Sequence, residues 1–252
     1  VSVNPLMTNI VRGDKLASNM TLGQFVKAIA SFMAPYIASW SALYFDNWKL
    51  LFPVYMCVAV IATLWLGLTS IDESNDRQES SSFGQCFGLL GKASILLFFL
   101  GIMCHVGIDV GINVTAPKIM TERFGVPVDA AVKATSMYFL FRLIGCLTGT
   151  FLLSRVNNKT FFGISVLCMV LSMAGFFLFN NLTAFYISIA LVGLGNSNIF
   201  PIIVSKAMLS MPEKKNEISG LMIMGLFVGT IFSLVMGFAS YAMVSQNGAL
   251  VV

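Results

Sequence analysis

The chain has 252 residues, 57% of them hydrophobic and 10% charged, with a mean hydropathy of +0.86. Soluble domains carry about a quarter charged residues, so this composition excludes an ordinary soluble domain and describes a multi-spanning membrane protein. The net charge of +4 is small and gives no reason to invoke nucleic acid, and the five cysteines form neither a paired framework nor a close-spaced metal motif.

In chain order the sequence predicts an all-α protein. Val1 to Ile10 is apolar, with an Asn4-Pro5 step expected to end or kink a helix, and polar residues follow as far as Asn19. This reads as the exit of a span whose body precedes Val1, so the chain is expected to be a piece of a longer protein. Complete spans are predicted over Thr21 to Leu43, Trp48 to Leu68, Ala93 to Val114, Val132 to Leu153, Phe161 to Phe179, Ala184 to Ser205 and Ile218 to Met243. Each is near the roughly 20 residues that cross a hydrocarbon core. Between the second and third, IDESNDRQESSS gives way to SFGQCFGLLGK, a linker with a short interfacial helix expected in its second half.

Alternating loops allow a test of orientation. Arg12, Lys15, Arg77, Lys92, Arg155, Lys159, Lys206, Lys214 and Lys215 fall on one side, and Lys49, Lys118, Arg123 and Lys133 on the other. Cytoplasmic loops hold the excess of Lys and Arg, so the larger set is placed in the cytoplasm.

The most informative span contains GIMCHVGIDVGINVT, Gly101 to Thr115. His105, Asp109 and Asn113 recur every fourth residue, which sets them within a sector of roughly 80° along about 12 Å of one helix face. A carboxylate near the bilayer centre is costly, so Asp109 is a functional candidate by default. Lys27 and Arg142 are the other charges away from the ends of spans. Gln24 shares the face of Lys27 and Tyr138 that of Arg142, so the group offers amide, phenol, imidazole and charge. This set suits a sugar or similar polar solute, while a buried ion pair that only fixes helix packing is the simpler alternative. His105 and Asp109, one turn apart, could pass a proton; with no further ligand cluster, no metal is expected.

In LVGLGNSNIFPIIVS, two glycines, Asn196, Asn198 and Pro201 should weaken a helix in mid-membrane. Such a segment either lines a cavity, as broken helices do, or is a glycine-rich face with asparagines bonded across helices. Gly220, Gly225, Gly229 and Gly237 in the last span read as close helix packing. No nucleophile elbow or phosphate loop supports an enzyme or a cofactor.

The runs NPLMTNIVRGDKLASNMTLGQFVKAIASFMAPYIA, CHVGIDVG, GCLTGTFLLSRVNNK, GLGNSNIFPIIVSKAM and ISGLMIMGLFVGTIFSLVMGF together resemble the fucose-permease-type sugar:proton symporters of the major facilitator superfamily. The resemblance implies twelve helices in two bundles, of which this chain would hold a partial fold from the end of the fourth helix through the eleventh. Residues 1–70 would finish the first bundle, 71–92 link the two in the cytoplasm, and 93–252 form the second without its last helix. Gln24 and Lys27 align with a family Gln and Asn on the fifth helix, and His105 and Asp109 with a Tyr and a Gln or Glu on the seventh. Arg155 and Lys159 occupy a cytoplasmic gating loop whose acidic residue is replaced by Ser154.

The function implied is import of a monosaccharide of fucose, glucose or galactose type with protons, by alternating access, in a bacterial inner membrane and as a monomer when full length. Asp109 and His105 would tune protonation, and Gln24, Lys27, Asn113, Tyr138, Arg142, Asn196 and Asn198 would bind solute. Two alternatives stay open: a carrier of an anionic sugar acid or other small polar solute, as uniporter or exporter, with Lys27 as a fixed positive charge that either pairs with a carboxylate outside this sequence or binds the acid, and a membrane receptor that does not transport.

Overall fold

A computed structural model describes residues 3–11, 13, 15–69, 83–131 and 133–252. Among these the chain is helical throughout, in the order α1 (Val3–Ile10), α2 (Leu16–Phe45), α3 (Leu51–Leu68), α4 (Phe83–Gly88), α5 (Ala93–Phe124), α6 (Val128–Ala131), α7 (Lys133–Leu152), α8 (Asn158–Leu178), α9 (Leu182–Asn196), α10 (Ile199–Ser210), α11 (Lys215–Gly229), α12 (Ile231–Ala242) and α13 (Asn247–Val251). Among the described residues seven stretches are long and apolar enough to cross a membrane, namely α2, α3, α5, α7, α8, Leu182–Ser210 and Pro212–Ala242. They correspond one to one with the seven spans expected from the sequence.

The differences lie at the ends and inside two spans. The Asn4-Pro5 step does not end α1, because Pro5 sits in the first turn, where its missing N–H has no intrahelical partner to lose. The span predicted from Thr21 begins at Leu16, whose side chain is fully buried with Ala17. The span predicted to stop at Val114 continues through Pro117 to Phe124 and ends where Gly125 takes φ +63°, its N–H bonding the carbonyls of Met120 and Thr121. Asn157 and Asn181 cap α8 and α9, each side chain accepting from the backbone N–H two residues on, at 3.0 and 2.9 Å. The expected helix in the second half of the linker is α4. The polar run 71–82, Arg12 and Val132 lie outside the described residues.

Two predicted spans are interrupted. Ser197 and Asn198 separate α9 from α10, and Thr230 separates α11 from α12. At Thr230 the hydroxyl donates to the Phe227 carbonyl at 2.6 Å, a local bond that competes with the helical ladder.

Helix α2 runs along α7 and touches α10; α8 and α7 pack on α9, and α11 packs on α5. The Ser18 hydroxyl donates to the Thr150 carbonyl at 2.5 Å, tying α2 to α7. Helix α3 buries none of its described side chains and is apolar all round, as a lipid-facing helix is.

The apolar interior falls into two main clusters at different levels. One gathers Ile95, Phe99 and Ile102 of α5 with Phe200, Val204 and Met208 of α10 and Ile218, Leu221 and Met222 of α11. The other gathers Ile112, Ala116, Ile119 and Met120 of α5 with Tyr138 of α7, Phe176 of α8 and Phe185, Ile189 and Val192 of α9. Helix α5 passes through both, and its residues from His105 to Asp109 fall between them. The polar side chains of this level therefore sit in a layer closed above and below by hydrocarbon.

Candidate functional site

Three helices build this layer. Asp109 of α5 forms an ion pair with Arg142 of α7, the side chains being 22% and 6% exposed. Tyr138, one turn before Arg142, donates its phenol to the same carboxylate oxygen at 2.6 Å. From α9, Asn196 donates to Tyr138 Oη at 3.1 Å, and its carbonyl oxygen meets His105 Nδ1 at 2.7 Å. With the amide so oriented, the imidazole carries its proton on Nδ1. The result is one chain of contacts from Arg142 through Asp109, Tyr138 and Asn196 to His105. A carboxylate taken out of water is tolerated when paired and hydrogen-bonded, and both conditions hold here.

Close backbone approach makes this geometry possible. A Cβ on Gly193 would lie 2.7 Å from the Tyr138 carbonyl oxygen, so only glycine lets α9 press against α7 at this level. Asn196, one turn further on, is thereby brought within reach of Tyr138.

The exposed side of the ion pair opens into a cavity of about 120 Å³ between α2 and α7, lined by Gln24, Lys27, Ala28, Ser31, Asp109, Phe139 and Arg142. Gln24, Lys27 and Ser31 are spaced by three and four residues and share one face of α2.

Of the residues predicted to form a site, Gln24, Lys27, Asp109 and Arg142 therefore line one pocket, and Tyr138, Asn196 and His105 stand behind it in the buried network. His105 and Asp109, expected to act as a pair one turn apart, are joined through Tyr138 and Asn196 rather than bonded to each other. Asn113 is set apart: its side-chain nitrogen donates to the Asp109 carbonyl at 2.7 Å, and its buried Oδ1 has no hydrogen-bond partner among the described residues. Asn198 is held in helix packing. Its amide donates to the Gly145 carbonyl at 2.9 Å and to Ser197 Oγ at 2.6 Å, and a Cβ on Gly149 would collide with it. Arg155 is exposed in the turn between α7 and α8, and Lys159 borders an apolar recess of about 380 Å³ together with Phe98, Phe162 and Lys206. Neither basic residue lines the pocket between α2 and α7.

Sequence reasoning missed Ser31 and Phe139. Ser31 carried a usable signal, lying one turn beyond Lys27 on the same stripe. Phe139 carried none, since one phenylalanine in an apolar span looks like any other.

Comparison with known proteins agrees with this architecture. Residues 1–234 match the model of the Major Facilitator Superfamily. No curated protein matches the sequence. Among solved structures, a single-residue variant of the E. coli fucose:proton symporter FucP aligns with a TM-score of 0.78 at 20% identity, covering 98% of this chain and 68% of that one. A Major Facilitator Superfamily transporter, FucP, in the outward conformation aligns at 0.67, again at 20% identity, covering 80% of this chain and 50% of that one. With seven membrane-crossing stretches, a polar layer between apolar clusters and a family match over most of its length, the chain belongs to the Major Facilitator Superfamily of membrane transporters.

Proposed function

We propose that this chain carries most of the solute pathway of a secondary transporter that imports a monosaccharide with protons by alternating access, across the inner membrane of a bacterium. The observation that carries the reading is the Asp109–Arg142 pair, bonded on its inner side to Tyr138 and open on its outer side to a pocket shared with α2. In an ion pair at membrane depth that also faces a cavity, protonation of the carboxylate removes the charge that holds Arg142, which couples proton uptake to rearrangement of the pair. Gln24 and Ser31 supply the donors and acceptors that sugar hydroxyls need. Likeness to the fold of a fucose:proton symporter supports the same reading.

In this reading residues 1–70 and 93–252 belong to two helix bundles joined by 71–92. The contact of α2 with α7 and α10 is then the seam along which the bundles rock, with Asp109 and Arg142 beside it. The test is Asp109→Asn in the full-length transporter in reconstituted vesicles. Proton-driven accumulation of labelled sugar should be lost while counterflow exchange continues. Accumulation that survives would show that the proton is carried by another group.

A further inference from the structure

We infer that His105 is a positioning residue for Asp109: its Nδ1–H fixes the Asn196 amide in the orientation that turns the Tyr138 phenol onto the carboxylate. The inference rests on the transport reading above and deepens it, since it concerns how the proposed proton site is set.

A phenol has one proton to give and two lone pairs with which to receive. At Tyr138 both lone pairs are occupied: Asn196 Nδ2 donates to Oη at 3.1 Å and Arg142 Nη1 at 3.4 Å. The hydroxyl proton goes to Asp109 Oδ1, at 2.6 Å. With the Asn196 amide turned over, its oxygen would face the phenol and take that proton, and Asp109 would lose the phenol as a donor.

Two contacts hold the amide as it stands. Its nitrogen lies 3.4 Å from the His105 backbone carbonyl, where an amide oxygen would meet another oxygen, and its own oxygen lies 2.7 Å from His105 Nδ1. His105 therefore grips both ends of the amide, and the side-chain contact demands a proton on Nδ1. A neutral imidazole protonated on Nε2 would offer Nδ1 as an acceptor and favour the turned amide. The neutral Nδ1–H form and the imidazolium both donate, so the role does not require His105 to change its charge. Nor does His105 pass a proton to Asp109 along this chain, because the amide between them does not titrate.

Tyr138 and Asn196 are fully buried and His105 is 4% exposed, so these bonds are closed among α5, α7 and α9. The charged and titratable groups around Asp109 are His105 on its own helix, Tyr138, Arg142 and Cys146 on α7, and Lys27 on α2. On the other helices packed against α5, Asp129, Lys206, Lys215, Glu217 and Tyr241 lie in or next to the end turns.

The experiment uses the full-length transporter in lipid vesicles, with isotopically labelled histidine. Nitrogen NMR at neutral pH should show Nδ1 of His105, assigned by its disappearance in His105→Asn, as a protonated, pyrrole-type nitrogen. A pyridine-type Nδ1 would overturn the inference. Proton-driven uptake of labelled fucose, glucose or galactose is then followed against external pH. A carboxylate that loses a donor keeps its proton to higher pH, so Tyr138→Phe should raise the pH of half-maximal uptake by about one unit. His105→Leu should raise it by at least about half a unit, whereas His105→Asn, whose side-chain nitrogen replaces Nδ1–H, should stay within about 0.3 unit of the wild type. Profiles of the Leu and Asn variants that move together, or a Leu profile that coincides with the wild type, would overturn the positioning role and leave the transport reading intact. Wild-type vesicles that accumulate none of the three sugars would defeat the transport reading, while the nitrogen signature still decides which way the amide is held.

Discussion

The two faces of α5 are held in opposite ways. On one, His105 and Asp109 are fixed by directional bonds from α7 and α9, in which each donor has a named acceptor. On the other, Gly107 and Gly111 admit Phe232 and Met236 of α12, and Gly229 of α11 lies against Val106, all of them contacts of apolar groups. Bonds of the first kind are specific and fail when one partner is lost. Contacts of the second kind depend on shape, and yield where the neighbour is a flexible side chain. The helix is thus anchored by charge toward α7 and by close packing toward α11 and α12.

The strongest way to break the first face is Arg142→Ala, which leaves the Asp109 carboxylate unpaired. It should remove transport and cost about 3–5 kcal/mol, read as a lower midpoint of thermal unfolding in detergent. The double variant Asp109→Asn with Arg142→Gln should recover part of that stability but no accumulation. If Arg142→Ala melts with the wild type, the ion pair contributes nothing to the fold.

The second face predicts a smaller and graded effect. A Cβ on Gly229 would lie 2.7 Å from Val106 Cβ and 3.0 Å from the Met103 carbonyl oxygen, neither of which can move freely. Gly229→Ala should therefore cost about 1–3 kcal/mol. At Gly111 the nearest atom, at 2.7 Å, is the terminal methyl of Met236, a side chain that swings aside. Gly111→Ala should cost less than Gly229→Ala, and equal losses in unfolding midpoint would contradict the distinction.

The two asparagines sharpen the comparison further. Asn196→Ala unties His105 from Tyr138 and should lower both stability and solute affinity, the stability by about 1–3 kcal/mol. Asn198→Ala, at the junction of α7 and α10, should lower stability while equilibrium binding of solute stays within about threefold. A loss of affinity in both variants to the same degree would place Asn198 in the pocket after all. The smallest effect is expected at Arg155, exposed in its turn: Arg155→Ala should change stability by less than about 0.5 kcal/mol. Its transport rate then measures directly whether the loop takes part in gating.

The residues themselves explain what could be read in advance. Seven spans were legible because the hydrocarbon thickness fixes the length of an apolar run, whatever its neighbours. Asp109 stood out because a carboxylate in such a run is expensive. The end of α5 was not legible, since hydropathy marks where the apolar run stops, whereas the backbone ladder continues to Gly125. The run around Asn196 and Asn198 left a choice between a cavity-lining break and asparagines bonded across helices. The structure shows the break together with bonds across helices: the helix is interrupted at Ser197 and Asn198, Asn196 joins the buried network, and Asn198 bonds into the packing of α7.

By itself the sequence determined that the chain is a bundle of membrane helices, which residues within them are polar, and which share a face of their own helix, because these follow from hydropathy and a period of 3.6. Only the tertiary structure decided which faces meet. That Asp109 is bonded to Arg142 and Tyr138, that Asn196 rather than Asn198 reaches His105, and that Lys27 shares a pocket with an occupied ion pair all depend on how α2, α5, α7 and α9 are set against one another. Those settings come from interhelix contacts such as Gly193 against the Tyr138 carbonyl, whose partners are far apart in the sequence.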